Sequence, residues 1–401
     1  MTTALPRPLV LILLALLLVL GLFPLWGKLV FATKYTFFLQ KLTGIMILAV
    51  LAMSLDLLVG VAGLVSLGHA AFFGLGGYML ALMSPQYEAA NLWVVLPLAI
   101  AAVGFAALIV GVLSIRTSGI YFIMVTLAFG QMGFYFFNDS KLAGGSDGAY
   151  IYVKPTVSAF GVTLVDLDSK LAFFYVVLGV LVGSYLLLRM VLASPFGRVV
   201  GAIGVNENRV RGLGFNPMLY KLAAFTLAGM LAGLAGFLAA VQYGFVNPAM
   251  LGWHQSGHVL VMVILGGMGT LFGPVLGAFV LEIAQLGFES LTDHWLLLMG
   301  GMVIAIVLVL PKGIAGLLIA WTGPRPASEG HDPSEPCERG AIAAPGASAK
   351  EPRGTDVTRP ASEGHDPSEP CERGAIAAPG ASAKEPRGTD VTRPASEGHE
   401  Q

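Results

Sequence analysis

Between residues 8 and 318 the chain repeatedly runs apolar for about 20 residues at a stretch, and this pattern limits its fold more than any other feature. A helix rises about 1.5 Å per residue, so roughly 20 apolar residues cross the ~30 Å hydrocarbon core of a bilayer. Inside lipid every backbone N–H and C=O needs a partner within the protein, which leaves helices as the reading for runs of this length. The sequence predicts spans over 8–26, 42–60, 67–83, 92–114, 119–137, 171–192 and 219–241. Residues 257–288 form one apolar stretch that would be about 48 Å long as a single helix, too long for one crossing. Its middle reads Gly266-Gly267-Met268-Gly269-Thr270-Leu271-Phe272-Gly273-Pro274, so it splits into crossings near 257–270 and 272–288. A last span over 295–318 brings the total to ten. Arg7 ahead of the first run resembles a signal-peptide n-region. With no small-x-small site before Lys28, the run reads as an uncleaved first membrane helix.

The expected fold is therefore an all-α integral membrane protein with about ten transmembrane helices and a disordered C-terminal tail. Only 12% of residues are charged and mean hydropathy is +0.77, far from a soluble chain of this length. The charge divides unevenly. Residues 1–322 carry 14 Lys/Arg and 10 Asp/Glu, whereas 323–401 carry 9 and 14. These are the two expected domains: a membrane domain over 1–322 and a tail over 323–401. The tail is a tandem repeat of period 34 that starts at Arg325, Arg359 and Arg393. It is rich in Pro, Gly, Ser and charge and lacks helical apolar periodicity, which predicts disorder. A partner-binding role and a neutral duplicated extension both fit it. No basic face is concentrated enough to suggest nucleic acid as a partner. Both cysteines, Cys337 and Cys371, lie in the tail, so the membrane domain has no thiolate metal site or Cys nucleophile.

The positive-inside rule sets the orientation. The loop 193–218 holds Arg198, Arg209 and Arg211 and is the densest basic stretch outside the tail. Placing it in the cytoplasm puts Arg7, Arg116, Lys312 and both termini inside, and the loop 138–170 outside. Lys28, Lys34 and Lys41 then fall outside, against the rule. All five tryptophans, Trp26, Trp93, Trp253, Trp295 and Trp321, fall at or near span edges, where an indole prefers the interface.

Three stretches carry the candidate chemistry. In Ser194–Pro217, Ser194 is a predicted N-cap with Pro195 at the first helical position, and Val199 and Ile203 share a face. Asn206 caps a second short helix bearing Glu207, Arg209 and Arg211, stopped by Gly212 and Gly214. This pair reads either as a docking element for a cytoplasmic protein or as a solvated connector. The second and third stretches, Gly63–Tyr78 and the Gly266–Pro274 interruption, are Gly-broken spans in the two halves of the chain. Paired broken spans point to a midplane pathway, whose candidate residues are Ser66, His69, Gly74, Gly267, Thr270 and Glu282. Close helix packing is the competing reading, because Gly229/Gly233 and Gly269/Gly273/Gly277 form small-residue ladders. Among intramembrane ionisable groups, Asp56 is placed near an interface, while His69 and His258 read as neutral and internally hydrogen-bonded. Glu282 is the most central, with Gln285 its expected neighbour. No P-loop, zincin or nucleophile-elbow motif occurs, so no catalytic residue, metal or cofactor is predicted.

Four blocks resemble the permease subunits of branched-chain amino-acid ABC transporters. They are GLVSLGHAAFFGLGGYMLAL (63–82), IRTSGIYFIMVTLAFGQM (115–132) with GGSDG (144–148), SPFGRVVGAIGVNENRVRGLGFNPMLYKLAAFTLAGMLAGLAGFL (194–238), and VILGGMGTLFGPVLGAFVLE (263–282). The resemblance covers roughly 40–318. It implies a ten-helix, multi-pass permease of the bacterial inner membrane, surrounded by lipid and without an ATPase site of its own. It also implies a homologous permease partner, two cytoplasmic ATP-binding subunits and a periplasmic substrate-binding protein. The ATPase-coupling role falls on Arg198, Glu207, Asn208, Arg209 and Arg211. The implied substrate is a branched-chain or other apolar amino acid. Urea or short amides are the near alternative, and a proton-coupled secondary transporter or a non-transporting scaffold the more distant ones.

Overall fold

The computed structural model describes residues 7–322 apart from 31–33, 86–88, 142–143, 160–161, 166–167 and 311–312. The expected disordered tail, Lys312 and the predicted signal-like first residues before Arg7 lie outside the described residues. Helices dominate: α1 (Arg7–Val30), α2 (Tyr35–Asp56), α3 (His69–Met83), α4 (Leu92–Ser114), α5 (Ile120–Asp139), α6 (Lys170–Ala193), α7 (Pro195–Val205), α8 (Glu207–Gly212), α9 (Pro217–Tyr243), α10 (Trp253–Gly266), α11 (Gly273–Leu291), α12 (Trp295–Val309) and α13 (Gly313–Thr322). A π-helical turn, Leu57–Ala62, continues α2.

Each predicted span carries helix, but their lengths differ. Six helices among the described residues are long and apolar enough to cross a membrane, and a seventh forms if α12 and α13, bent by 42° at their junction, count as one. Two of the remaining spans are short for a local reason. α3 has 15 residues and α10 has 14, or about 22 Å each. Glycine-rich breaks next to them consume the rest of each apolar run. The exposed indoles of Trp26, Trp93, Trp253 and Trp321 suit a lipid–water boundary.

α9 runs through the middle of the bundle against α2, α3 and α4. Its small residues allow this. A Cβ at Gly236 would overlap the Phe73 carbonyl of α3, one at Gly233 would meet Val103 of α4, and one at Gly229 would meet Ala107. Gly76 of α3 is pressed equally hard onto the Gly233 carbonyl. The Gly229/Gly233 ladder is thus a packing device. The other ladder divides: Gly273 and Gly277 lie against the backbone of α10, whereas Gly269 lies in the break before α11.

At the end of the bundle away from α7 and α8, short strands order the loops. β1 (Ala149–Tyr150) pairs antiparallel with β4 (Phe245–Val246), which joins the 138–170 loop to the end of α9. β2 (Val157–Ala159) and β3 (Val162–Val165) pair antiparallel in a second two-stranded sheet.

Candidate functional site

The first break opens where α2 passes into its π-helical turn. Gly63 closes that turn at φ +70°, and the Leu64 N–H reaches back 2.8 Å to the Leu58 carbonyl. A left-handed φ is a conformation that glycine adopts without a Cβ penalty. The chain is then non-helical until α3 begins at His69. The second break follows Gly266. Gly267 (φ +106°) and Gly269 (φ +78°) turn the chain, and Leu271 is held at φ +56°. For a leucine that conformation costs roughly 1–2 kcal/mol, so neighbouring contacts must hold it.

Asp56 supplies two of those contacts. Its side chain is fully buried, with one carboxylate oxygen 2.7 Å from the Gly269 N–H and the other 3.2 Å from the Leu271 N–H. The carboxylate therefore ties the end of α2 to a break more than 200 residues away. Gly60 packs flush there, where a Cβ would overlap the Gly269 backbone. Thr270 braces the same turn by donating to the Gly267 carbonyl (2.9 Å) and accepting from the Gly273 N–H (3.1 Å). Asp56 thus sits wholly enclosed by protein at the end of α2.

His69 stands at the start of α3, buried, with Nε2 2.8 Å from Ser54 Oγ. The Ser54 hydroxyl donates its one proton to the Leu51 carbonyl at 2.7 Å, so it accepts from His69. In that arrangement the ring carries its proton on Nε2. His69 Nδ1 and the buried Ser66 hydroxyl have no protein partner among the described residues. One residue on, the Ala70 N–H donates to Ser256 Oγ of α10 at 3.0 Å. The two broken regions thus meet through Asp56, and Ser256 ties the start of α3 to the start of α10.

Of the sequence-predicted pathway residues, Gly267 and Thr270 line a 470 Å³ cavity together with Met268 and Gly313. Ser66 and His69 are enclosed, and Gly74 is packed so that a Cβ would meet the Leu251 side chain. Glu282 stands apart on α11, 3.8 Å from His258 Nε2. Its expected neighbour Gln285 lines the same cavity and donates to Glu289 at 2.8 Å.

The stretch from Ser194 to Pro217 folds as its caps predict. Ser194 Oγ accepts from the Gly197 N–H at 3.4 Å with Pro195 starting α7, and Asn206 Oδ1 accepts from the Arg209 N–H at 3.0 Å at the start of α8. α7 buries Val200 and Ile203, with Val199 at the margin, so the buried face is rotated one residue from the expected one. A Cβ at Gly204 would overlap the Val61 carbonyl, so α7 lies directly on the π-helical turn of the first break.

Arg198, Asn208, Arg209 and Arg211 are exposed. Glu207 is half-buried and paired with Lys221 (2.5 Å) and Arg211 (3.1 Å). The hydrogen bond from Lys221 holds its carboxyl below the usual carboxylate range, aided by the charges of Lys221 and Arg211 and opposed by burial. A 730 Å³ groove beside α8 is lined by Arg116, Glu207, Asn208, Arg211 and Lys221. Lys221, Ser54 and Ser256 are contributors that sequence periodicity could not single out, because their partners are remote in the chain.

Comparison with known proteins sets this geometry in context. The family described as branched-chain amino acid transport system / permease component matches residues 37–307. The high-affinity branched-chain amino acid transport system permease protein LivM of Salmonella typhimurium is 30% identical over 314 residues, covering 72% of this chain and 74% of that protein. LivM of Escherichia coli K12 is 30% identical over 288 residues, 67% of this chain and 68% of that protein. The autoinducer 2 import system permease protein LsrC of Klebsiella pneumoniae is 38% identical over 137 residues, 32% of this chain and 39% of that protein. No solved structure matches.

Proposed function

The chain belongs to the family of permease components of branched-chain amino acid transport systems, and on that premise we propose that it forms part of the passage through which an ATP-driven importer carries branched-chain or other apolar amino acids. It works beside a homologous permease subunit. Two cytoplasmic ATP-binding subunits hydrolyse the nucleotide, and a periplasmic binding protein delivers the solute. The protein resides in the inner membrane with both termini in the cytoplasm. Ten crossings fit an even count, with the non-helical Gly63–Gly68 completing the short α3 and the Gly267–Phe272 break completing α10.

One observation carries this reading. α7, next to the exposed polar helix α8, rests on the π-helical turn, and Asp56 at the head of that turn holds the second break. A push on α8 therefore has a packed route to both breaks. Serving as that coupling surface falls to Arg198, Glu207, Asn208, Arg209 and Arg211. The pathway residues are Gly267, Thr270 and Glu282, while Ser66, His69 and Gly74 support the first break.

The test is uptake of radiolabelled leucine by the assembled transporter in proteoliposomes. Uptake should require ATP inside and binding protein outside, and should persist when an uncoupler abolishes the proton gradient. Uptake that collapses with the uncoupler while ATP remains would overturn the proposal in favour of a proton-coupled carrier.

Asn208→Ala with Arg209→Ala tests the docking surface more cleanly than any change at Glu207, whose loss would strand the half-buried Lys221. Both residues are exposed, so stability should change by only about half a kcal/mol. Contacts desolvated at an interface are worth about 2 kcal/mol or more each at hot spots. The double variant should reach the membrane normally yet co-purify with much less ATPase subunit. Full assembly and uptake would make α8 a plain connector.

A further inference from the structure

At the end of the bundle opposite α7 and α8, a 360 Å³ cavity lies among α2, α3, α9, α10 and α11. Its position follows from the course of the helices. α2 enters the cavity wall near its start (Gly44, Ile47, Leu48) and reaches the first break at its end. α9 leaves the coupling segment at Pro217 and meets the cavity only at Ala239 and Tyr243. α10 lines it with Gln255 and His258, then runs down to the second break.

The walls are chemically mixed. The lining combines apolar Ile47, Leu48, Phe73 and Met250 with polar Asn247, Gln255, His258 and Glu282. Glu282 faces the cavity with its side chain 15% exposed; His258 Nε2 lies 3.8 Å away, beyond hydrogen-bond distance, and the charges of Lys41 and Glu289 act on the carboxyl from outside the cavity lining. A carboxylate so far removed from water favours a cation that can approach it. The amides of Asn247 and Gln255 and the imidazole of His258 offer hydrogen-bonding groups beside it. The volume lies within the range of small-ligand sites, which pair apolar walls with a few placed polar groups.

We propose that this cavity is a binding station for the zwitterion of an apolar α-amino acid, with the ammonium on Glu282, the carboxylate towards Gln255, Asn247 and His258, and the side chain against Ile47, Leu48, Phe73 and Met250. The inference rests on the importer reading and adds to it a defined stop between the outer face and the two breaks. Glu282 is a binding group here and carries no proton across the membrane.

The experiment uses the assembled transporter in proteoliposomes, with Cys337 and Cys371 replaced by serine and Leu48→Cys as a reporter on the apolar wall. Saturating L-leucine should slow maleimide labelling at position 48 at least fivefold without binding protein or ATP. L-leucinol, which keeps the ammonium, should protect partially. 4-Methylpentanoate, which lacks it, should not protect. Adding Glu282→Gln should raise the leucine concentration for half-protection about tenfold, the loss of one charged hydrogen bond. Protection by 4-methylpentanoate equal to that by leucine would overturn the ammonium assignment. Absence of leucine protection would overturn the station even if Glu282→Gln fails to accumulate, because that measurement uses the native glutamate. ATP-driven leucine uptake in the same vesicles separates the two claims. Uptake without protection sinks the station alone, and protection without uptake upholds the station while sinking the importer reading.

Discussion

Asp56→Ala should abolish leucine uptake while the protein still inserts in the membrane. The methyl group leaves the Gly269 and Leu271 N–H groups without an acceptor in a fully buried position. Each such group costs about 1–3 kcal/mol, so the break loses roughly 2–6 kcal/mol of support. The strained Leu271, buried at φ +56°, then loses one of the bonds that hold it, and relaxation there moves the start of α11. Because α7 leans on the turn that Asp56 heads, the ATPase signal and the second break become uncoupled. Asp56→Asn should be intermediate, since one amide oxygen still accepts from Gly269 whereas the amide NH₂ meets the Leu271 N–H donor to donor. The alanine variant should show a lower melting temperature in detergent and at least tenfold less uptake. It should also hydrolyse ATP without response to binding protein. Normal, binding-protein-stimulated transport by Asp56→Ala would mean that the two breaks move independently and that this carboxylate is only filler.

Local rules read parts of this molecule well. The caps at Ser194 and Asn206 fold as their types demand, because a cap is settled within four residues of sequence. The interruption at Gly267–Gly269 was visible because an apolar run too long for one crossing must turn, and glycine marks the place. The roles of Asp56, Ser256 and Lys221 were not visible. Asp56 follows the 21 preceding, apolar-rich positions of α2 and reads as a residue near a helix end, yet its partners come from a break 213 and 215 residues away. Glu282 and Gln285 satisfy the i, i+3 spacing and share a cavity, while the bond from the Gln285 amide to Glu289, one turn further on, is not given by that spacing. Hydropathy counts apolar residues whether or not they are helical, so Leu67 and Gly68 fall within the predicted crossing 67–83 although α3 begins only at His69.

Gly236→Ala should prevent the protein from accumulating in a folded state, an effect out of proportion to one methyl group. The added Cβ would coincide with the Phe73 carbonyl, and no rotamer change relieves an overlap with backbone. α3 would have to move away from α9 along their whole contact. Overpacking that side chains can absorb costs about 1–3 kcal/mol; here a helix must shift, together with the hydrogen bonds of His69 to Ser54 and Ala70 to Ser256 at its start. Gly179→Ala is the matched control, since a Cβ there meets nothing within 4 Å. The control should match the parent in yield and melting temperature, and Gly236→Ala should lose most of both. Parental behaviour of Gly236→Ala would show that α3 and α9 are not held at this distance. Gly76→Ala carries the argument further, because its Cβ would strike the Gly233 carbonyl across the same contact. One displacement of α3 relieves both overlaps, so the double variant should cost clearly less than the sum of the single ones, as coupled neighbours do. Strict additivity would mean that the two glycines relieve separate local strains and that α3 does not move as a rigid unit.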